Sequence, residues 1–287
     1  MKIASSWKDY EILATGDGEK LERWGNYTLL RPDPQVIWHA KKDLSKTKGL
    51  DGHYLRSSSG GGSWRFFSRV PEEWQISWKD LKFIIKPMGF KHTGLFPEQA
   101  ANWDWMMNKI QKEKREIKVL NLFAYTGGAS VACLAAGANV CHVDSSKGMV
   151  AWAKENVNSS KLQNRPIRYI VDDVFKFVNR EIRRGNVYDA IIMDPPSYGR
   201  GAKGEVWQFE ENIEELVNLC TKVLSNNPLF FLINSYTTGI SSTVLSNILS
   251  LNINKKYKGK ISCGELGLPM TNSNIILPCG IYARWEK

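Results

Sequence analysis

The amino-acid sequence predicts an α/β protein: a doubly wound, mostly parallel sheet in the C-terminal two-thirds, behind a smaller β-rich N-terminal domain. Three observations predict it. After about residue 115, strand-like apolar runs alternate with helix-length amphipathic segments, the order that a parallel sheet with helices on both faces requires. Before that point the chain is turn-rich and aromatic, holding Trp7, Trp24, Trp38, Trp64, Trp74, Trp78, Trp103 and Trp105, eight of the eleven tryptophans. The 287 residues, 43% of them hydrophobic, suffice for a real core in one large or two modest domains.

In the N-terminal part, strand-like runs at 27–31, 35–39, 64–68 and 81–86 are separated by breakers. These are Gly16-Asp17-Gly18, Arg31-Pro32-Asp33-Pro34 and the stretch 57–62. The segment SSSGGGS starting at Ser57 reads as a surface loop. A helix is expected from Pro97 to about Lys112, since proline suits a first helical turn, where its missing N–H costs nothing. Most of the tryptophans are expected in the core. The expected division is a β-rich domain over 1–85, a helical linker with a cofactor-site turn over 86–116, and a catalytic domain over 117–287.

In the catalytic part, 119–123 reads as a buried strand, followed by a helix over 128–136 that Gly137 closes. Strands follow at 140–143, 167–171, 190–193 and 229–233, with helices at 146–159, 174–184, 209–224 and 241–251. Two more strands, near 257–263 and 275–285, complete seven, the last expected to run antiparallel.

Composition narrows the function. No apolar run approaches the ~18 residues that a membrane span needs, and the N-terminus MKIASSWKDYEIL has no signal-peptide hydrophobic region. The five cysteines (133, 141, 220, 263 and 279) form no CxxC pair and fit neither a disulfide framework nor a zinc site. The four histidines are scattered. These features point to a reduced, cytoplasmic enzyme without a metal. Net charge is +10, about evenly spread over the chain. It suits a polyanionic partner such as RNA and equally suits simple solubility.

The chemistry lies at strand ends. The first strand of the alternating part runs into a glycine turn and a helix through Val119-Leu-Asn-Leu-Phe-Ala-Tyr-Thr-Gly-Gly-Ala-Ser. Ligands bind at the carboxyl ends of parallel strands, where such a turn lets the backbone come close. The next strand ends in Asp144, an acid able to accept hydrogen bonds from both hydroxyls of a ribose. The third is followed by Asp172-Asp173, placed to accept from an adenine amino group. The fourth ends in Asp194-Pro195-Pro196-Ser197-Tyr198. Each signal alone has a structural explanation, a turn or a helix cap; the ordered set is what a nucleoside needs. A G-x-G-x-x-G does occur at Gly199, Gly201 and Gly204, but not between the first strand and its helix, where a dinucleotide fingerprint belongs. The segment GRGAKG reads instead as a mobile basic loop over the active site.

The sequence resembles the bacterial large-subunit (23S) ribosomal RNA methyltransferases, class I enzymes that use S-adenosyl-L-methionine. Their strand-one motif N-x-F-(A/S)-Y-T-G-G is matched at 121–128, and their DPP motif at Asp194-Pro195-Pro196. A K-T-G-like turn with a nearby Gln is matched by Lys91-His92-Thr93-Gly94-Leu95-Phe96-Pro97-Glu98-Gln99. The resemblance covers roughly 85–240. It implies a Rossmann-like seven-stranded class I methyltransferase sheet and a cofactor site lined by Thr93, Gln99, Phe123, Tyr125, Thr126, Gly127, Asp144, Asp173 and Asp194, with Asn121, Ser145 and Asp172 beside them. Two departures stand out. Members that make 5-methylcytosine carry a cysteine after strand five, where this chain reads Asn234-Ser235-Tyr236-Thr237-Thr238-Gly239. The first 85 residues also do not read as the PUA module of some relatives.

The expected reaction is methyl transfer to RNA, on a base nitrogen, which needs no thiolate nucleophile. Asp194 is expected to orient the cofactor amine or the acceptor, with Pro195 and Pro196 holding their backbone carbonyls stiffly toward that acceptor. Tyr198 is expected to stack on a flipped base, and Arg200 and Lys203 to contact phosphates. A methyltransferase acting on a protein or small molecule, and a non-catalytic binding module on the same scaffold, are the alternatives. Monomer and homodimer both stay open.

Overall fold

The computed structural model describes residues 1–57, 61–89, 91–201 and 204–287. The chain divides into two compact units. One comprises Ala101–Leu266 and Gly280–Lys287 with Met1, the other Lys2–Ala100 and Gly267–Cys279.

The second unit is β-rich. After β1 (Lys2–Ile3) come β2 (Tyr10–Gly16), β3 (Glu19–Trp24), β4 (Tyr27–Pro32), β5 (Gly52–Arg56) and β6 (Gly62–Phe66). The last five form one sheet in that order, antiparallel except for the parallel β4–β5 pair. A separate hairpin pairs β7 (Trp74–Trp78) with β8 (Leu81–Ile85). Trp24, Trp78, Ile12, Leu29, Ile76 and Phe83 are fully buried, and none of the eight N-terminal tryptophans is fully exposed. A charged pair is buried with them. The Arg31 guanidinium donates two bonds to Glu22, at 2.6 and 2.8 Å, Tyr10 adds its hydroxyl at 2.7 Å, and Arg31 lies 5.1 Å from the Trp24 ring centroid. Such a pair is tolerable because its hydrogen-bonding capacity is used.

The segment 35–39 is not a strand, contrary to its apolar pattern. Pro34 opens a turn in which the Val36 N–H bonds back to Asp33. The carbonyls of Val36 and Trp38 then take the Gly18 and Asp17 amides of the β2–β3 turn, so the segment serves that turn instead of a ladder. The expected 64–68 strand ends at Phe66, where the chain bends. Part of the SSSGGGS stretch lies outside the described residues.

The first unit holds the alternating sequence. Helix α1 (Ala100–Lys112) follows a 3-10 turn over Pro97–Gln99 and leads to β9 (Lys118–Leu122). Next come α2 (Gly128–Ala135), β10 (Asn139–Asp144), α3 (Lys147–Ser159), β11 (Ile167–Val171), α4 (Val174–Arg184) and β12 (Ala190–Met193). A short hairpin, β13 (Tyr198–Arg200) with β14 (Val206–Gln208), precedes α5 (Phe209–Thr221), β15 (Phe230–Ser235), α6 (Ser242–Ile253), β16 (Lys260–Pro269) and β17 (Ile276–Glu286). The sheet order is β16-β17-β15-β12-β9-β10-β11, with β1 beside the end of β16 that belongs to the second unit. The pairs from β15 to β11 are parallel, and β17 runs antiparallel to β15. This is the expected α/β architecture with a class I methyltransferase strand order.

Local chemistry fixes the boundaries. β12 and β15 are buried at every position, as central strands covered on both faces must be. Ser146 caps α3 by accepting from the Met149 amide, and Asp173 caps α4 by accepting from Lys176. Gly185 ends α4 in the left-handed conformation. The expected strand at 257–263 begins later, at Lys260, because the turn after α6 draws Tyr257 onto the Ile253 carbonyl. The expected basic loop after the DPP motif is a hairpin where it is described: Tyr198 pairs with Gln208 and Arg200 with Val206. Lys203 lies outside the described residues.

Candidate active site

Parallel register builds the crest of the first unit. Leu122 is level with Val143 on one side and Met193 on the other, and Asp144 is level with Val171. The residues that follow therefore emerge side by side: Phe123 from β9, Asp144 at the end of β10, Asp172 after β11 and Asp194 after β12. The Asp172 amide bonds to the Asp144 carbonyl at 3.1 Å, tying two of these loops together.

The loop after β9 has an unusual backbone. Phe123 and Tyr125 take positive φ values of 52° and 49°, and Gly127 one of 84°, conformations that non-glycine residues adopt only when their surroundings impose them. Asp144 supplies part of that imposition. One carboxylate oxygen accepts the Tyr125 amide at 2.8 Å and the other the Ser146 amide at 2.9 Å. Burial pushes the Asp144 carboxyl above its ordinary range, partly offset by those two amides. At Gly127 a side chain has no room: an added Cβ would sit 2.9 Å from the Ala153 Cβ.

A buried polar layer lies beneath this loop. The Asn121 amide donates to the Ser130 hydroxyl at 3.0 Å, and Ser130 is 3.0 Å from Nδ1 of His142. The Asn156 amide donates to the Thr126 carbonyl at 2.8 Å. Asn121 thus lies under the crest, its amide spent on Ser130. His142 is fully buried, and desolvation lowers its pKa to about 4, so it is neutral at physiological pH. The sequence offered no pattern for His142, Ser130 or Asn156, because their partners are distant along the chain.

The other expected acids have local partners. Asp173 uses one oxygen as the cap of α4, at 3.0 Å from the Lys176 amide. Asp172 accepts the Asp173 amide at 2.9 Å and forms an ion pair with Arg180. Ser145 is exposed beside Asp144.

After Asp194, Pro195 is buried while Pro196, Ser197 and Tyr198 are exposed. The Pro196 carbonyl accepts the Trp207 indole N–H at 2.6 Å, and the Ser197 carbonyl accepts the Phe209 amide at 3.0 Å. The Ser197 hydroxyl is 2.9 Å from that of Thr237. These bonds fix the loop, and they commit the Pro196 carbonyl to Trp207. Trp207, unremarked in the sequence, is a wall of the crest: its ring meets Phe123 edge-on at 4.8 Å and Phe175 at 6.1 Å. Tyr198 is 53% exposed, and its hydroxyl accepts from Nε of Arg200 at 2.9 Å.

Asn234 is level with the start of the DPP loop, and its side chain accepts from Asn102, which in turn accepts from the Arg284 guanidinium. Arg284 sits between the Trp105 and Tyr282 rings, 4.6 and 4.5 Å from their centroids.

Thr93 and Gln99 belong to the second unit. Both are buried; the Thr93 hydroxyl has no hydrogen-bond partner among the described residues, and its carbonyl accepts the Lys86 amide. No group of three or more His, Cys, Asp and Glu among the described residues could hold a metal. No helix there is long and apolar enough to cross a membrane.

The crest therefore offers carboxylates at consecutive strand ends, a close-approaching backbone loop and an aromatic wall. This donor set fits a cationic nucleoside: hydroxyls and an amine for the acids, rings for the aromatics. The comparisons agree. The family model described as S-adenosylmethionine-dependent methyltransferase matches residues 42–240. The structure of a SAM-dependent methyltransferase from Agrobacterium tumefaciens superposes with a TM-score of 0.93 at 34% identity, covering 99% of this chain and 92% of that one. Ribosomal RNA large subunit methyltransferase K of Neisseria meningitidis is 23% identical over 244 residues, 82% of this chain and 67% of that protein. Ribosomal RNA large subunit methyltransferase I of Cronobacter sakazakii is 33% identical over 151 residues, 52% of this chain and only 34% of that protein.

Proposed function

Because this chain belongs to the S-adenosylmethionine-dependent methyltransferases, we propose that its crest holds S-adenosylmethionine and that the methyl acceptor is a base nitrogen of ribosomal RNA. When bound, the sulfonium supplies a methyl group that is already electrophilic. The protein's task is positioning, which turns an encounter of two molecules into a reaction within one complex. Asp144 receives the ribose hydroxyls, beside Ser145. Asp172 and Asp173 stand on the adenine side, Asp173 with the oxygen that the helix cap leaves over. The backbone from Phe123 to Gly127 approaches the ligand, with Tyr125 held by Asp144 and Thr126 by Asn156, above the layer that includes Asn121.

Asp194 orients the acceptor by taking a hydrogen bond from its amino or imino group. Pro195 and Pro196 keep that carboxylate from swinging away. Tyr198 stacks on the acceptor base, and Arg200, with Lys203, meets the phosphates. The observation that carries the acceptor assignment is the exposed Tyr198, pinned by Arg200 directly beyond the DPP loop, in a loop that contains no cysteine. The names of the relatives support ribosomal RNA. That substrate places the enzyme in the cytoplasm.

Nucleoside mass spectrometry of RNA from a strain lacking the protein tests this reading. A methylated base should disappear from ribosomal RNA, return with the wild-type protein and stay absent with Asp194→Ala. An unchanged nucleoside profile, with methylation of a protein or small molecule instead, overturns it.

A further inference from the structure

The second unit carries a feature that methyl transfer does not use. β6 is the terminal strand of its sheet, yet it carries Trp64 and Phe66, with Phe67 just beyond. Phe66 is 45% and Phe67 49% exposed. Exposed aromatics on a sheet edge are a liability, so their arrangement is informative. Trp64 and Phe66 share one face of the strand, and their rings are nearly parallel, 5° apart with centroids at 5.7 Å. The buried Tyr54 packs edge-on against Trp64 at 5.5 Å and steadies it. Phe66 lies across Gly52, opposite it in the ladder, where a Cβ would come within 2.9 Å of the ring. The Arg65 guanidinium is 5.3 Å from the Phe67 centroid.

Charge identifies the occupant. From Gly52 to Val70 the chain has three arginines, Arg56, Arg65 and Arg69, all exposed, and no acid. Asp51, just before it, is occupied by the Thr28 amide and the Ser68 hydroxyl. Burial lowers the pKa of Lys91 in the same unit; Lys20, Arg56 and Arg31 add to the effect and Asp33 opposes it. Flat rings interleaved with arginines, the adjoining Asp51 already hydrogen-bonded and the next acids only at Glu72 and Glu73, are what unpaired bases and their phosphates require.

We propose that Trp64, Phe66 and Phe67, with Arg56, Arg65 and Arg69, form a stacking platform for single-stranded RNA. The platform rests on the RNA reading above and adds to it a second contact, outside the crest, that selects unpaired segments. Bases stack on Phe66 and Phe67, and the arginines meet the backbone.

The test measures fluorescence anisotropy of the full chain with a labelled unpaired RNA of about twelve nucleotides, and with the same RNA in a duplex. Phe66→Ala/Phe67→Ala should weaken single-strand binding about tenfold or more, the loss of one to two base stacks. It should leave duplex binding nearly unchanged, and the variant should keep the wild-type circular dichroism spectrum. Arg56→Gln/Arg65→Gln should instead flatten the salt dependence, by about 0.7 per lost phosphate contact. Equal single-strand binding by the folded aromatic variant overturns the platform, and so does an equal loss on both RNAs. A wild-type dimer that the aromatic variant abolishes also overturns it, by assigning the edge to a second copy. If the wild type methylates ribosomal RNA but the aromatic variant binds as well as it does, only the platform fails. If the wild type binds no RNA and methylates another substrate, both fail.

Discussion

Replacing Asp144 tests the cofactor site most directly, although its carboxylate also holds the loop after β9 through the Tyr125 amide. Its carboxylate already accepts the Tyr125 and Ser146 amides, which leaves lone pairs on both oxygens for the two ribose hydroxyls. A hydrogen bond to a charged acceptor contributes about 1.5–3 kcal/mol. Losing one corresponds to about tenfold in affinity, and losing both to about a hundredfold or more. Asp144→Ala should therefore bind S-adenosylhomocysteine at least about tenfold more weakly in titration calorimetry. Asp144→Asn should fall between, since one oxygen remains but its amide group faces a backbone donor. The pH dependence gives a second signature. The ligand's hydroxyls need the ionised carboxylate, and burial raises the Asp144 pKa above its ordinary 3.8. Wild-type affinity should thus fall with decreasing pH sooner than for an ordinary aspartate, and Asp144→Ala should lack that limb. Equal affinity of a folded Asp144→Ala protein and the wild type would refute the ribose role.

Arg200→Ala should lower the slope of log affinity against log salt for RNA by about one; an unchanged slope removes Arg200 from the phosphate contacts. No cysteine should be needed for methylation. Cys133, Cys141 and Cys220 are buried, with burial pushing all three thiols up, Cys141 to about 11. Single Cys→Ala variants should remain active, and a covalent adduct with 5-fluorocytosine RNA that depends on one cysteine would contradict this. His142 has its pKa depressed from 6.5 to about 4, so the unfolded chain takes up a proton at acid pH that the folded one refuses. Stability should be full above about pH 6.5 and fall by about 3 kcal/mol as pH drops towards 4. Denaturant melts of His142→Gln should show a flatter acid limb, and an identical limb would clear His142. Gly127→Ala must hold a left-handed residue, at about 1–2 kcal/mol, with its Cβ against Ala153. Its melting temperature should drop and its cofactor affinity fall, and wild-type values for both would refute the strain.

The sequence alone determined the alternating half of the protein. Short aliphatic and aromatic runs such as 190–193 and 230–233, alternating with helix-length segments, fit the central strands of a sheet covered on both faces. Asp173 and Gly185 marked the ends of α4 through purely local hydrogen bonding and backbone preference. Because parallel strands deliver their carboxyl ends to one edge, the row of Phe123, Asp144 and Asp194 was legible as well. The N-terminal sheet was less so. β3 reads EKLERW, with Glu22 buried because Arg31 on β4 neutralises it; polarity along one strand says nothing of a partner on the next. The same reason hid the Asn121–Ser130–His142 layer, the Asn102–Asn234–Arg284 chain and the Trp207 wall. Each is a contact between segments far apart in sequence, which only strand register and helix docking bring together. It also explains the misread segment 35–39: its apolar residues suggested a strand, but its carbonyls had a nearer use in closing the β2–β3 turn. Local patterning specifies which face is buried, whereas the partner of each buried polar group is settled only when the sheet closes.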